Sequence, residues 1–215
     1  MNTGRIYSKR EEIANAITHG IGALLSIAAL VLLLIYSTKH GSTAHIVSFT
    51  IYGVSMILLY FSSTLLHSLR EGKLKDVFEI MDHASIYIFI AGSYTPILLL
   101  VVKDSLGITL LSVVWSIAFL GIIFKVFFTK KFLFLSTMIY IGMGWMIVFA
   151  IKPVVNRLAF EGLIMFVVGG LLYTFGTIFY MWRLFPFHHA VWHLFVVGGS
   201  AFHFFTMFFH ILPLR

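Results

Sequence analysis

Phe187-His188-His189-Ala190-Val191-Trp192-His193 opens the last apolar stretch of the chain, and no Asp, Glu, Lys or Arg follows it before Phe209. A run of roughly 20 such residues matches the hydrocarbon thickness of a bilayer when wound as an α-helix. That reading decides the fold, because the same pattern recurs along the chain. Within the stretch, His189 and His193 are four residues apart, so on a helix they sit one turn apart on one face. Two imidazoles at that spacing reach a single metal ion, and imidazole suits zinc.

Working outward, 60% of the residues are apolar and 11% are charged, where a soluble domain carries about 25% charged residues. Mean hydropathy is +1.00. Apolar runs fall at residues 17–36, 46–67, 80–102, 106–128, 132–151, 160–181 and 189–209. They predict an all-α, polytopic seven-transmembrane-helix bundle: a polar segment 1–16, then one membrane domain over 17–212. The alternating short strands of a membrane β-barrel are not visible. The first run is too long for a signal-peptide core and lacks an A-x-A-like cleavage site, so it reads as a retained span. Short loops leave no room for a separate soluble domain. Cysteine is absent, so any metal is held by His, Asp, Glu or water.

Lys and Arg set the expected orientation. With the N-terminus inside, Arg5, Lys9, Arg10, Arg70, Lys73, Lys75, Lys125, Lys130, Lys131 and Arg183 are cytosolic. Lys39, Lys103, Lys152, Arg157 and Arg215 lie outside. Ten against five places the N-terminus in the cytosol and the C-terminus outside. Basic loops facing anionic lipid account for the formal charge of +7, with no nucleic-acid partner required.

On this topology His67 ends the second span, with Ser63 one turn earlier on its face. Asp82 is expected in the first turn of the third span, and His189 and His193 begin the seventh. Taken singly, each is an ordinary neighbour of the headgroups. Together, three imidazoles and a carboxylate share one depth on three helices, the makings of a mononuclear zinc site. His83 and His188 point elsewhere and read as interfacial residues. His203 and His210 lie roughly 15 Å or more beyond His193 at 1.5 Å per residue, too far to share its ion. His19 is on the correct side, either supporting the site or structural. His40 and His45 read as outer-loop residues. Pro96 should kink the third span, with Ser93 or Thr95 repairing the freed carbonyl. Gly142, Gly144, Gly169, Gly170, Gly198 and Gly199 are expected to permit close helix contact, and Trp192 to anchor at the interface.

The segments Glu11-Glu12-Ile13-Ala14-Asn15-Ala16-Ile17-Thr18-His19-Gly20, Ser62-Ser63-Thr64-Leu65-Leu66-His67, Asp82-His83-Ala84 and the closing H-x3-H resemble the hemolysin III family of the progestin and adipoQ receptor (PAQR) superfamily. The resemblance covers essentially the whole chain. It implies seven spans and a zinc ion held by His67, His189, His193 and a water that Asp82 contacts, with Ser63 at the serine of the Ser-x3-His motif. The superfamily is also similar to alkaline ceramidases, which implies hydrolysis of a lipid amide.

Three functions follow as expectations. The first is a zinc-dependent hydrolase of a lipid amide or ester at the cytosolic end of a bacterial plasma-membrane bundle. There Asp82 is the base, Ser63 orients the reacting group, and an acyl chain lies in the apolar interior. The second is a receptor or regulator stapled by structural zinc. The third is a pore-forming cytolysin, against which stands a chain too hydrophobic to be soluble before insertion. A proton or ion channel finds few ionisable residues in mid-span to line its path.

Overall fold

A computed structural model of the chain describes residues 7–183 and 185–214. Arg5 and Arg215, counted above on the inner and outer sides, lie outside the described residues. Among the described residues, seven helices are long and apolar enough to cross a membrane: α1 (Lys9–His40), α2 (Thr43–Ser68), α3 (Lys73–Val102), α4 (Ser105–Phe128), α5 (Leu133–Arg157), α6 (Phe160–Met181) and α7 (His188–Ile211). The described residues contain no strand. Each expected apolar run is thus a helix.

Several helices extend past their apolar runs, and this matters for the site. α1 starts at Lys9, about two turns before Ile17, because Ser8 and Glu11 form a capping box. The Glu11 amide donates to Ser8 Oγ at 3.3 Å, and the Ser8 amide donates to Glu11 Oε2 at 2.8 Å. Glu11 and Glu12 also lie in the first turn, where the helix dipole favours negative charge. Residues 9–16 are therefore helical and continuous with the first span. α3 begins at Lys73, so Asp82 sits in its third turn rather than its first.

α3 is the central helix, with 78% of its apolar window inside the bundle. α2 packs between α1 and α3, α4 lies on α3, α6 pairs with α7, and α1 touches α7 to close the arrangement. In lipid, helix association rests on close packing and hydrogen bonds rather than on hydrophobic exclusion. Gly169 and Gly199 meet that expectation: an added Cβ would come within 2.3 Å of His203 and 2.7 Å of Tyr173, respectively. Gly142, Gly144 and Gly170 do not, because they face open space, and a Cβ on Gly198 would make only ordinary contact with Leu172 at 3.4 Å. On the outside, Leu24, Phe127, Phe149 and Phe160 stand out, as side chains that face acyl chains can.

Two helices change winding inside the bundle. At Pro96, α3 passes from α to π geometry over Ile97–Val102, the missing N–H having removed one rung of the ladder. Ser93 and Thr95 donate to the carbonyls of Ile90 and Ala91 instead of to that of Gly92, which proline leaves free. α5 tightens to 3-10 over Trp145–Ala150, just ahead of Pro153, whose missing N–H leaves the Phe149 carbonyl without its usual partner. Here the Tyr94 hydroxyl donates to the Gly144 carbonyl at 2.7 Å and accepts from the Ile147 amide at 2.9 Å. Lys125, counted among the inner-side charges, is fully buried and donates to Ser136 Oγ at 2.9 Å. Its long side chain turns inward onto α5.

Candidate metal centre

The last turn of α2 carries His67, and the first two turns of α7 carry His189 and His193. One nitrogen from each lies within 4.8 Å of the others. Ring centroids are 5.1 Å apart for His67 and His189, 5.3 Å for His67 and His193, and 4.5 Å for His189 and His193. All three side chains are buried. The ends of α2 and α7 thus bring together the three histidines singled out in the sequence, two by their i,i+4 spacing and His67 by its depth.

The protons on these rings are assigned by their partners. His67 Nδ1 donates to Glu12 Oε2 at 2.5 Å. His193 Nδ1 donates to the Asn15 carbonyl at 3.1 Å, with Thr18 Oγ1 at the same distance. Nδ1 being the N–H, Nε2 of both rings is left as the lone-pair donor. Among the described residues, His67 Nε2 and His189 Nδ1 are buried without any hydrogen-bond partner. Buried polar atoms normally find one, and a divalent cation gripped by three neutral imidazoles would satisfy them. The all-nitrogen donor set fits zinc.

Tyr7 and the first turn of α1 cover this cluster. The Tyr7 ring stands 5.1 Å from His189, 5.8 Å from His188 and 6.1 Å from His67. Burial pushes its phenol up to about 12, so it is neutral at physiological pH. The Phe187 amide donates to Glu11 Oε1 at 3.0 Å, tying the entry to α7 against α1. His19 stacks on His193 with ring centroids 3.4 Å apart and planes 10° apart.

A cavity of about 160 Å³ opens beside the histidines. Its polar end holds Ser63, Asp82, His19, His189 and His193; its walls are mainly apolar, including Leu59, Ile86, Phe89, Ile141, Val167 and Trp192. It reaches His203, ten residues beyond His193 and so about 15 Å further along α7. The Ser63 hydroxyl is buried and unpartnered among the described residues. Asp82 lines the cavity but does not join the histidine cluster, which sets it apart from the ligand set. Tyr180 also lines this end, with a buried, unpartnered hydroxyl.

Several expectations about single residues need correction. His188 is buried and donates to the Phe179 carbonyl at 2.8 Å, so it is a packed residue rather than an interfacial one. Trp192 faces the cavity instead of anchoring at the interface. His45 is buried in the first turn of α2, where its Nδ1 accepts from the Ser42 amide. His203 is hydrogen-bonded as expected, donating from Nε2 to the Phe166 carbonyl at 3.2 Å.

The site can be set beside known proteins. The model of the family described as "Haemolysin-III related" matches residues 7–204, a range that takes in all the cluster residues. "Hemolysin-3 homolog" of Bacillus subtilis (strain 168) is 57% identical over 205 residues, covering 95% of this chain and 96% of its own. "Hemolysin-3" of Bacillus cereus is 54% identical over 204 residues, covering 95% and 93%. The human "Monocyte to macrophage differentiation factor" is 30% identical over 203 residues, covering 92% and 83%. With the family model spanning nearly the whole chain and such relatives matching from end to end, this seven-helix chain belongs to the haemolysin-III-related family.

Proposed function

We propose that the protein is a zinc-dependent hydrolase of a lipid amide or ester, with His67, His189 and His193 holding the ion. One observation carries this reading: three buried imidazoles meet, and two of them, His189 and His193, line an apolar cavity that also takes in Ser63 and Asp82. A bound zinc ion supplies carbonyl polarisation and a water of lowered pKa. Asp82 accepts the proton that the attacking water releases and returns it to the leaving nitrogen or oxygen as the C–N or C–O bond breaks. The Ser63 hydroxyl donates to the carbonyl oxygen as negative charge develops there. The apolar walls take the acyl chain and keep bulk water out. The balance of Lys and Arg supports placing this end at the cytosolic face of a bacterial plasma membrane, with residues 17–212 as one membrane domain after the segment 1–16.

The test is purified, zinc-loaded protein incubated with ceramide-like, acyl-amide and ester lipids. Turnover that disappears in Asp82→Asn supports the reading. Full zinc occupancy with no cleavage of any of the three classes sinks it. A second reading, a receptor or regulator with structural zinc, is favoured by ligands from two helices far apart in sequence; it requires that chelation lower the melting temperature while no turnover exists. A third, cytolysis, rests on the relatives named hemolysin. It requires release of a trapped dye from liposomes at low protein concentration, undiminished in His67→Ala.

A further inference from the structure

The carboxylate of Glu12 stands between two partners. Its Oε2 lies 2.5 Å from His67 Nδ1, and its Oε1 lies 2.7 Å from Lys75 Nζ. Lys75 in turn holds Glu71 at 3.2 Å. The contact is largely shielded, with side-chain exposure of 18% for Glu12 and 3% for His67. Glu12 belongs to α1, a helix that contributes no nitrogen to the cluster. On the same helix, Asn15 receives the Nδ1–H of His193 through its carbonyl, and the His19 ring stacks on His193. Positions 12, 15 and 19 lie on one helical face, and between them they orient a ring from α2 and a ring from α7. Lys75 sits seven residues before Asp82 on α3. The Glu12–Lys75 pair therefore also sets the helix bearing Asp82 against the helix that orients His67.

We infer that Glu12 is a positioning residue for the metal, fixing the tautomer and direction of His67 and enriching its Nε2 lone pair, with α1 acting as a template for a site to which it gives no ligand. The inference rests on the metal reading above. A carboxylate on the far nitrogen of a ligating imidazole sets which nitrogen faces the ion and raises its basicity, and losing such a partner weakens metal binding about 10–100-fold. A purely structural ion pair between α1 and α3 would behave differently. It would depend on Lys75 as much as on Glu12, and it would change melting temperature rather than the intrinsic affinity of the site.

The test measures zinc affinity by competition with a chromophoric chelator, together with the visible spectrum of the cobalt-substituted protein. It compares wild type, Glu12→Gln and Lys75→Met. We expect Glu12→Gln to bind zinc about 10–100-fold more weakly with a shifted cobalt spectrum, and Lys75→Met to stay within about threefold of wild type with the spectrum unchanged. Equal affinities for Glu12→Gln and wild type overturn the positioning role while leaving the metal site standing; so does an equal loss in both variants. Wild type that binds neither metal overturns the metal reading itself. If Glu12→Gln does not accumulate as folded protein, Glu12→Asp decides the matter, since it keeps the charge but draws the carboxylate back by one methylene. It should weaken zinc and shift the cobalt bands, and wild-type behaviour refutes the role.

Discussion

The proposed zinc binding by the three histidines would have a calculable effect on stability. In the metal-free protein, His67 Nε2 and His189 Nδ1 are buried and unpartnered among the described residues, and each such atom costs about 1–3 kcal/mol. A ligand that binds only the folded state stabilises it by about 2.7 kcal/mol at one hundred times its Kd. For a chain of this size, 1 kcal/mol corresponds to about 2–4 °C in melting temperature. Saturating zinc should therefore raise the melting temperature of chelator-stripped protein by about 5–11 °C. The assay is tryptophan-fluorescence melting in detergent across a zinc titration, with bound metal counted by mass spectrometry. His193→Ala should lose both the shift and the metal, whereas His210→Ala, at the far end of α7 and outside the cluster, should keep both. A shift below about 1 °C at full occupancy, or one of equal size in His193→Ala, would refute the reasoning, because the ion would then be bound elsewhere or without linking α2 to α7.

Further outcomes follow from individual contacts. Asp82→Asn should keep about one zinc per chain, since Asp82 lies outside the histidine cluster, yet lower any lipid-hydrolase rate by about 10²–10⁴-fold; metal analysis beside a turnover assay checks both. Tyr94→Phe strips the donor from Gly144 and the acceptor from Ile147 at the winding change in α5. That should cost about 2–4 kcal/mol, read as a lower melting temperature and faster amide exchange at Ile147. Gly169→Ala forces a Cβ to 2.3 Å from the His203 ring and should destabilise by about 1–3 kcal/mol in the same melting assay. Lys125→Met should be neutral or stabilising, because it removes a fully buried ammonium whose hydrogen-bond partner is a single serine hydroxyl.

The seven helices were legible because a long uncharged apolar run is costly to leave in water and matches the thickness of a bilayer when helical. Their ends were less so. Ser8 and Glu11 form a capping box that the sequence displays, but an apolar run does not say how many polar turns continue the helix beyond it. The pair His189 and His193 was readable from spacing alone, and His67 only by matching depths across spans. Glu12 and Asn15 were not readable as partners of those rings. Their contacts join residues 55 and 178 positions apart, and no local periodicity encodes which faces of two distant helices meet. The inward turn of Lys125 was not readable, because a lysine one turn from a helix end can point to solvent or fold inward, and only the presence of Ser136 on α5 decides it. The 3-10 segment in α5 was not anticipated, although Pro153 stands three residues past its end. Its neighbours Gly142 and Gly144 suggested close packing where the structure has open space.

The depth of the centre bears on the chemistry proposed for it. An ionised side chain at the bilayer midplane costs at least about 2.5–3.5 kcal/mol, so the chain Glu71–Lys75–Glu12 belongs near a helix mouth, where its ends reach water. The cavity runs the other way, toward His203 and apolar walls. The histidine cluster lies where these two environments join, with the charged relay on one side of His67 and the apolar cavity on the other side of His193. A membrane lipid has the same division, its amide or ester lying between a polar head and a hydrocarbon tail. A purely structural metal site needs no cavity at that junction and no unpartnered serine hydroxyl on a residue of its wall. The coincidence of Ser63, Asp82 and the open volume at this one level is what favours a reacting centre over a staple.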